Sequence, residues 1–381
     1  MVVLDELYHA PLSLAVFLVG FFIFVSIPRF FSVGSKRAVF LYFWHTVFSL
    51  VYVYYSFIDV ADATLYYSLS LDYNADFSVG TGFVVYFTSF FSKFLKLDYI
   101  GVFLVYNIIG AVGLLAFYAS LVRSSERAGA PPMRLILIVV LLPSVSFWSS
   151  AIGKDSISFM AVGLSLWASL NLSRRLPLFA FSFLLMFLVR PHIAGVMLIA
   201  LCLNYLFDAR QSLFKKSMLF LLGAISAWLS VSYAVAYAGL SEISINALNQ
   251  YVDDRQSYNM TDGGGVDISS MSLPFQLFTY IFRPLPFEAG SATQFVASLD
   301  NTLILFLFIF GFASFLRRRG TDSLPGKVYA ISYALGCWVI LSVTTANLGI
   351  AVRQKWMFLP MAICLLIYYV AVTRNRRRLA S

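Results

Sequence analysis

The sequence predicts an all-α protein, a polytopic bundle of transmembrane helices, from its hydrophobicity, its scarcity of charge and the uneven distribution of its basic residues. Of the 381 residues, 60% are hydrophobic and 12% are charged, and the mean hydropathy is +0.83. A soluble protein carries about 25% charged residues. Water cannot solvate a surface this poor in charge, so we expect lipid to cover much of it. We interpret residues 1–381 as one integral membrane domain.

Apolar runs between charged breaks predict about eleven spans, because a membrane-crossing helix needs roughly 20 mainly apolar residues. The predicted spans are 10–28, 38–56, 98–121, 135–153, 157–173, 176–189, 192–207, 217–238, 299–316, 328–346 and 356–373.

The basic residues predict the orientation, since cytoplasmic loops of membrane proteins are enriched in Lys and Arg. With the N-terminus outside and the C-terminus inside, the inner segments hold 19 of the 27 basic residues but only three of the 18 acidic residues. The net charge of +9 is then a topology signal, and we expect no nucleic-acid partner. The inner segments are 29–37, 122–134, 174–175, 208–216, 317–327 and the C-terminal tail.

Two predicted outer segments are long. The first, 57–97, contains an apolar stretch at 81–96 that carries Lys93 and Lys96, which we interpret as an interfacial amphipathic helix. The second, 239–298, contains a polar, Gly-rich stretch and then an apolar segment with three prolines, which prevent one straight helix. A re-entrant or membrane-lying segment fits this second part.

Four basic residues of the predicted outer face lie at the ends of spans, in short polar segments. Charges near the membrane interior are costly and are usually retained for function or pairing. Four cations around one cavity would repel one another unless acids or an anionic ligand lay between them. Arginine suits a phosphate because its planar guanidinium forms two parallel hydrogen bonds with it. The four residues are Lys154, Arg190, Arg283 and Arg353.

Structural roles are open alternatives for these four cations. Lys and Arg near helix ends often extend towards lipid headgroups. Asp155 is a possible ion-pair partner for Lys154, and Glu288 for Arg283.

Acids and histidines are the remaining polar candidates. Asp59 and Asp62 directly follow the second predicted span, where a carboxylate could be a general base towards a sugar hydroxyl or a solvated helix cap. His9, His45 and His192 are too scattered to indicate a metal site, and His192 alone suits a packed or interfacial position as well as a ligand contact. We predict neither a metal nor a cofactor.

Five segments are informative as a set. They are the first outer loop with Asp59, Asp62, Tyr66 and Tyr67, PSVSFWSSAIGKDS at 143–156, Arg-Pro at 190–191, FRPLPFE at 282–288 and NLGIAVRQKWMFLP at 347–360. Together they resemble bacterial glycan-assembly proteins, namely the Wzy- and EpsG-type polysaccharide polymerases and the related GT-C glycosyltransferases. The resemblance covers the span layout of nearly the whole chain, although Asp59 and Asp62 do not form a DxD motif.

The resemblance implies a polymerase of polyprenyl-diphosphate-linked oligosaccharides on the outer face of the bacterial cytoplasmic membrane, in exopolysaccharide, O-antigen or capsule synthesis. Its partners would be the lipid-linked glycan, the bilayer and other polysaccharide-assembly membrane proteins. The diphosphate would contact Lys154, Arg190, Arg283 and Arg353, the base would be Asp62, Asp59 or Glu288, and the sugars would contact Trp148, Tyr66, Tyr67 and His192.

Three other functions stay open. One is a GT-C transferase that adds a single sugar from a polyprenyl-monophosphate donor. Another is a lipid-linked glycan transporter or flippase, and the third is a non-catalytic assembly subunit. Transporters often show internal repeats and broken helices near the midplane. We find no convincing repeat, and the polar groups cluster at one predicted face, which favours chemistry at the membrane surface.

Overall fold

The computed structural model describes residues 9–59, 61–72, 77–129, 131–207, 212–237, 265–268, 270–317 and 324–380. Within these ranges the chain is helical apart from turns and an isolated bridge between Gly265 and Asn347, which confirms the all-α prediction. The helices are α1 His9–Ser26, α2 Ser35–Ile58, α3 Asp62–Leu71, α4 Thr81–Ser89, α5 Tyr99–Arg127, α6 Met133–Val140, α7 Pro143–Ser149, α8 Lys154–Ser169, α9 Leu172–Val189, α10 Pro191–Leu206, α11 Leu213–Tyr237, α12 Leu273–Phe282, α13 Ala292–Leu316, α14 Lys327–Thr344, α15 Leu348–Gln354 and α16 Leu359–Ala380.

Six helices of the described part are long and apolar enough to cross a membrane, namely α1, α2, α5, α9, α13 and α14. The pair α15 and α16 together pass the same test, but they are bent by 64°, as in a broken span or a re-entrant loop. The architecture is therefore that of a helical membrane protein. The larger number of spans and the orientation stay predictions.

Two predicted spans differ from the observed helices. The span predicted at 135–153 is two short helices, because α6 ends at Val140 and α7 starts at Pro143, a residue that favours the first turn of a helix. The span predicted from residue 299 starts earlier, where the Ser291 hydroxyl accepts from the Gln294 N–H and caps α13. Asp300 therefore lies in the third turn of the helix rather than at its start, and it is buried.

The two long predicted outer segments contain helices. Residues 81–96 form α4 and a π-helical turn at Phe90–Phe94, so the helix is confirmed and its interfacial placement stays a prediction. Of the 239–298 segment, residues 239–264 and 269 lie outside the described residues, and these include most of the Gly-rich stretch. The apolar part forms α12 and a 3₁₀ turn at Pro286–Glu288, separated as the prolines predict.

Contacts between Cα atoms divide the chain into two compact units. Unit 1 comprises Met1–Ser120, Val140–Trp167 and Pro177–Arg190, and unit 2 comprises Leu121–Val139, Ala168–Leu176 and Pro191–Ser381. The boundaries fall inside helices such as α5 and α9. The single-domain interpretation stays a prediction.

Each unit has packing that positions candidate residues. In unit 1, side chains of α2, α3, α5, α8 and α9 form one hydrophobic cluster rich in tyrosine, which we call the tyrosine cluster; its buried members include Tyr52, Tyr66, Tyr67, Tyr99 and Tyr106. In unit 2, α12 packs against α13, α14 and α15, and α13 packs against α16.

Candidate functional site

The first candidate cluster lies in unit 1, where the turn before α8 meets the end of α9. The Arg190 Nη2 donates to Asp155 Oδ1 over 2.7 Å. The structure thus pairs Asp155 with a residue 35 positions away. The pairing of Asp155 with Lys154 stays a prediction. Arg190 is 8% exposed, so this ion pair is largely removed from water.

One N–H donor of the Arg190 guanidinium is unsatisfied. Its Nε is buried and has no hydrogen-bond partner among the described residues. A buried donor without an acceptor is unfavourable, more so when it belongs to a charged group. An anionic group placed beside Nε would satisfy this donor. Arg190 is therefore held in place by Asp155 and can still donate one hydrogen bond to an anionic ligand.

Lys154 stands beside this pair as the first residue of α8, and it is half-buried. A cation at a helix N-terminus opposes the helix dipole, whereas an acid there, such as Asp155, favours it. An anion bound at the turn would offset the unfavourable interaction.

The same turn brings a predicted sugar-contacting ring to the cluster. Gly153 has a φ of 154°, which side chains rarely adopt, and a Cβ there would lie 3.4 Å from Cε2 of Tyr66. Tyr66 and Tyr67 are buried members of the tyrosine cluster, and the Tyr67 hydroxyl donates to the Leu97 carbonyl over 3.3 Å. Trp148 packs on the same cluster but stays half-buried, so its ring is the more accessible of the three.

The two acids of the first predicted outer loop lie at the edge of the tyrosine cluster. Ala61 and Ala63 are buried members of that cluster, while Asp59 and Asp62 are exposed. Asp59 follows α2 and accepts a hydrogen bond from the Tyr55 hydroxyl over 2.7 Å. Asp62 starts α3. Both carboxylates are therefore accessible, as a general base must be.

Asp98 is an acid that the sequence did not single out. It is buried before the start of α5, where its Oδ1 accepts from the Ser13 hydroxyl over 2.7 Å and from the Gly101 N–H over 2.8 Å. Its Oδ2 is buried without a hydrogen-bond partner in the described part of the chain. An acid directly before an apolar run is a helix-capping pattern, so the sequence could have predicted that Asp98 caps α5.

A histidine network holds the end of α7, directly before the Lys154 turn. His45 Nδ1 lies 2.6 Å from Asn107 Oδ1, and His45 Nε2 lies 2.9 Å from Ser149 Oγ. An amide oxygen only accepts, so Nδ1 carries the proton and donates to Asn107, while the Ser149 hydroxyl lies against both Nε2 and the Val145 carbonyl, which is 2.6 Å away. Gly110 permits this close packing, because a Cβ there would lie 1.9 Å from the Ser149 carbonyl oxygen.

The second candidate cluster lies in unit 2, in the turn between α12 and α13. Arg283 donates to Glu288 Oε1 from Nε and lies within 2.8 Å of it through Nη2, and the Leu285 N–H donates to Glu288 Oε2 over 2.8 Å. The predicted pairing of Glu288 with Arg283 is thus confirmed. Burial alone would raise the pKa of Glu288, but these hydrogen bonds and the Arg283 charge lower it below its ordinary value.

Glu288 is poorly suited to be a general base. A general base works best when its pKa lies near the working pH, whereas the pKa of Glu288 is lowered and both of its oxygens already accept from donors. Its geometry instead suits the orientation of Arg283.

Arg353 lies on α15, a helix that packs against α12. It lies in the last turn of this helix and is half-buried. The Asn347 side chain caps α15 by accepting from the Ile350 N–H over 3.1 Å, and α15 packs against α12. The helix carrying Arg353 and the helix that ends at Arg283 are thus neighbours within unit 2.

Lys355 is a buried cation that sequence reasoning did not single out as a candidate. It is one of the basic residues assigned to the predicted outer face, an assignment that stays a prediction, and its side chain is 0% exposed. Its ammonium donates to Asn301 Oδ1 and to the Ile281 carbonyl. The polar pair Asp300–Asn301 within an otherwise apolar run was the available signal for a buried partner.

The remaining predicted residues divide between the units. His192 is the second residue of α10, half-buried, and belongs to unit 2 with Arg283 and Arg353. Lys154 and Arg190 belong to unit 1. That all four cations line one cavity stays a prediction.

Comparison with protein-family models, with curated proteins and with solved structures finds no match, so the residues and their geometry carry the functional argument.

Proposed function

We propose that this chain is a membrane glycosyltransferase that polymerises polyprenyl-diphosphate-linked oligosaccharide repeat units. The observation that carries the proposal is the Arg190–Asp155 pair, a buried guanidinium that is held by one acid and still has an unsatisfied donor beside Lys154. This arrangement suits an anionic group at the end of membrane-embedded helices. A lipid diphosphate has that charge and that location.

The proposed chemistry follows from where charge develops. When a sugar leaves its lipid diphosphate, negative charge grows on the bridging oxygen, and cations aimed at it stabilise the transition state. Arg190 and Lys154 in unit 1 and Arg283 and Arg353 in unit 2 would supply these cations. The bidentate fork of arginine also fixes the orientation of the phosphate.

The acceptor hydroxyl must lose a proton as the new glycosidic bond forms. Asp62 is the proposed base, with Asp59 next in line, because both carboxylates are exposed at the edge of the cluster that contains Tyr66. Trp148 would stack on a sugar face. The glycan would be transferred on the outer face of the bacterial cytoplasmic membrane, with the chain oriented N-terminus out and C-terminus in.

The test is glycan elongation by purified protein in liposomes that contain polyprenyl-diphosphate-linked repeat units. We expect Arg190→Lys to lose most elongation, because the charge remains while the planar fork is lost. A polyprenyl-monophosphate sugar offered in parallel separates the polymerase from a single-sugar transferase. Full elongation by Arg190→Lys would show that the diphosphate does not depend on the guanidinium of Arg190.

A lipid-linked glycan flippase is the second candidate, and the 64° bend between α15 and α16 favours it, because broken helices are common in transporters. The same liposomes distinguish the two functions. A flippase would move the labelled lipid between leaflets and form no glycosidic bond. Native protein that moves the lipid without lengthening the glycan would replace the transferase proposal by this one.

A further inference from the structure

Lys355 places a full side chain and its charge where water does not reach. A buried ammonium is unfavourable unless several acceptors surround it. Such a group in a membrane protein is retained for function or pairing more often than by accident. The partners of Lys355 therefore indicate what it does.

Those partners belong to two other elements of unit 2, α12 and α13. The ammonium donates to Asn301 Oδ1 on α13 and, over 3.3 Å, to the Ile281 carbonyl in the last turn of α12. The buried Asp300, next to Asn301, attracts the ammonium electrostatically. Lys355 itself starts the 3₁₀ turn Lys355–Met357 that follows α15. One charge thus joins α12, α13 and the end of α15.

Asn301 extends this connection to the turn that carries Arg283. Its oxygen accepts from Lys355, which leaves its amide group to donate to the Pro284 carbonyl over 2.9 Å. Pro284 follows Arg283, and the Arg283–Glu288 pair closes the same turn. The path from Lys355 to the Arg283 guanidinium therefore runs through two hydrogen bonds and one peptide.

Arg353 is fixed by the same lysine from the other direction. It lies in the last turn of α15, and the chain continues from there directly into Lys355. Any shift of Lys355 towards or away from Asn301 would carry the end of α15 with it. Lys355 therefore connects the helix end that carries Arg353 with the turn that follows Arg283.

We propose that Lys355 is a positioning residue whose ammonium acts as a built-in cation, holding Arg283 and Arg353 in register for one anionic ligand. The inference rests on the proposed function for the identity of that ligand, which is the diphosphate of a lipid-linked glycan. Lys355 does not touch the ligand. It orders the turn and the helix end that do.

The test separates positioning from folding with a double variant. Lys355→Met alone strands the buried Asn301 oxygen and would disturb folding. Replacing both partners by apolar side chains, as in Lys355→Met with Asn301→Leu, avoids stranding the Asn301 oxygen. The double variant still loses the donors to the Ile281 and Pro284 carbonyls, so we expect it to fold but to unfold below the native temperature, and both readouts are taken where its helicity matches that of the native protein. Lys327→Met, which removes a charge from the start of α14, is the matched control.

The first readout is independent of activity. A nitroxide spin label is attached at Phe287→Cys, where the native side chain is 83% exposed, after the three buried cysteines are replaced. A second label at Phe310→Cys reports on α13, where the native side chain is 64% exposed. The double variant should increase label mobility at position 287 but not at position 310, and the Lys327 control should change neither. Unchanged mobility at position 287 overturns the inference whatever the glycan assay gives.

The second readout is affinity for farnesyl diphosphate, a short polyprenyl-diphosphate probe, for the same proteins in nanodiscs. Because a misplacement of about 1 Å can cost on the order of 100-fold, we expect a loss of that size in the double variant and none in the Lys327 control. A mobile turn with unchanged affinity would overturn the positioning role. Native protein that binds no farnesyl diphosphate and lengthens no glycan would overturn the proposed function, and the mobility result would then decide the role of Lys355 alone.

Discussion

His45 and Ser149 lie 2.9 Å apart, from Nε2 to Oγ, and this hydrogen bond joins the middle of α2 to the last residue of α7. Lys154 and Asp155 start α8, one short turn after α7 ends. The hydrogen bonds of His45 therefore help to fix where these two charged residues lie. Packing in this region should therefore affect both stability and the proposed site.

Gly110→Ala is expected to destabilise the protein by about 1–3 kcal/mol or more, because the added methyl group would meet the Ser149 carbonyl oxygen at 1.9 Å. Gly34→Ala is the control, since a Cβ there meets nothing within 4 Å, and we expect a change within about 0.5 kcal/mol. Unfolding in mixed detergent micelles measures both. Equal stability of the two variants would mean that α5 and α7 can separate without cost.

Asp155→Asn should destabilise the protein by about 3–5 kcal/mol, because it leaves the buried Arg190 charge without its acid. The matched control is Glu126→Gln, which breaks the exposed Arg123–Glu126 pair and should cost about 0–1 kcal/mol. The unfolding free energies of the two variants are compared under one set of conditions. Similar small losses for both would show that Asp155 does not stabilise Arg190.

The turn of Arg283 should lose stability in acid through Glu288. Its folded pKa lies below the ordinary value of 4.5, so its contribution is fully present above pH 4.5 and is lost as the pH falls through the folded pKa. Glu288→Gln removes this dependence. The check is the unfolding free energy of both proteins from pH 7 down to pH 3. A difference between them that stays constant across this range would contradict the lowered pKa.

Asp62→Asn is expected to abolish glycan elongation while leaving binding of the lipid donor largely intact, because a base acts in the transition state. Asp59→Asn is the comparison, and Glu288→Gln should alter donor affinity more than it alters proton transfer. Elongation and donor binding are measured on the same liposomes. Full elongation by Asp62→Asn would move the base to Asp59.

The predicted orientation can be tested at two positions of the cysteine-free protein. Phe287→Cys should react with a membrane-impermeant thiol reagent on intact cells, whereas Arg376→Cys should react only after lysis, because the basic tail is predicted to be inside. The reverse pattern would invert the topology and place the proposed chemistry in the cytoplasm.

The sequence predicted helices and contacts between residues that are near in the chain, but not contacts between residues that are far apart in it. The spans predicted at 38–56 and 98–121 correspond to α2 and α5 because long apolar runs determine them. The Arg283–Glu288 pair was also predicted, since its partners are five positions apart. The Arg190–Asp155 pair was not predicted, because nothing in a single sequence shows that α9 returns to the start of α8.

Lys355 shows the same limit for burial. A lysine near the end of an apolar run usually extends to the membrane surface. Its burial depends on contacts with Asn301 and Ile281. These contacts result from helix packing, which the periodicity of the sequence does not indicate.

The interleaved order of the two units bears on how the protein is made. Unit 1 includes Met1–Ser120 but is completed only by Pro177–Arg190, near the end of α9. The ribosome needs about 4–14 s to extend the chain from Ser120 to Arg190 at 5–20 residues per second. During that delay α1, α2 and the first part of α5 lack partners that the finished unit supplies. The His45–Asn107 pair can form early, whereas the contact of His45 with Ser149 must wait for α7.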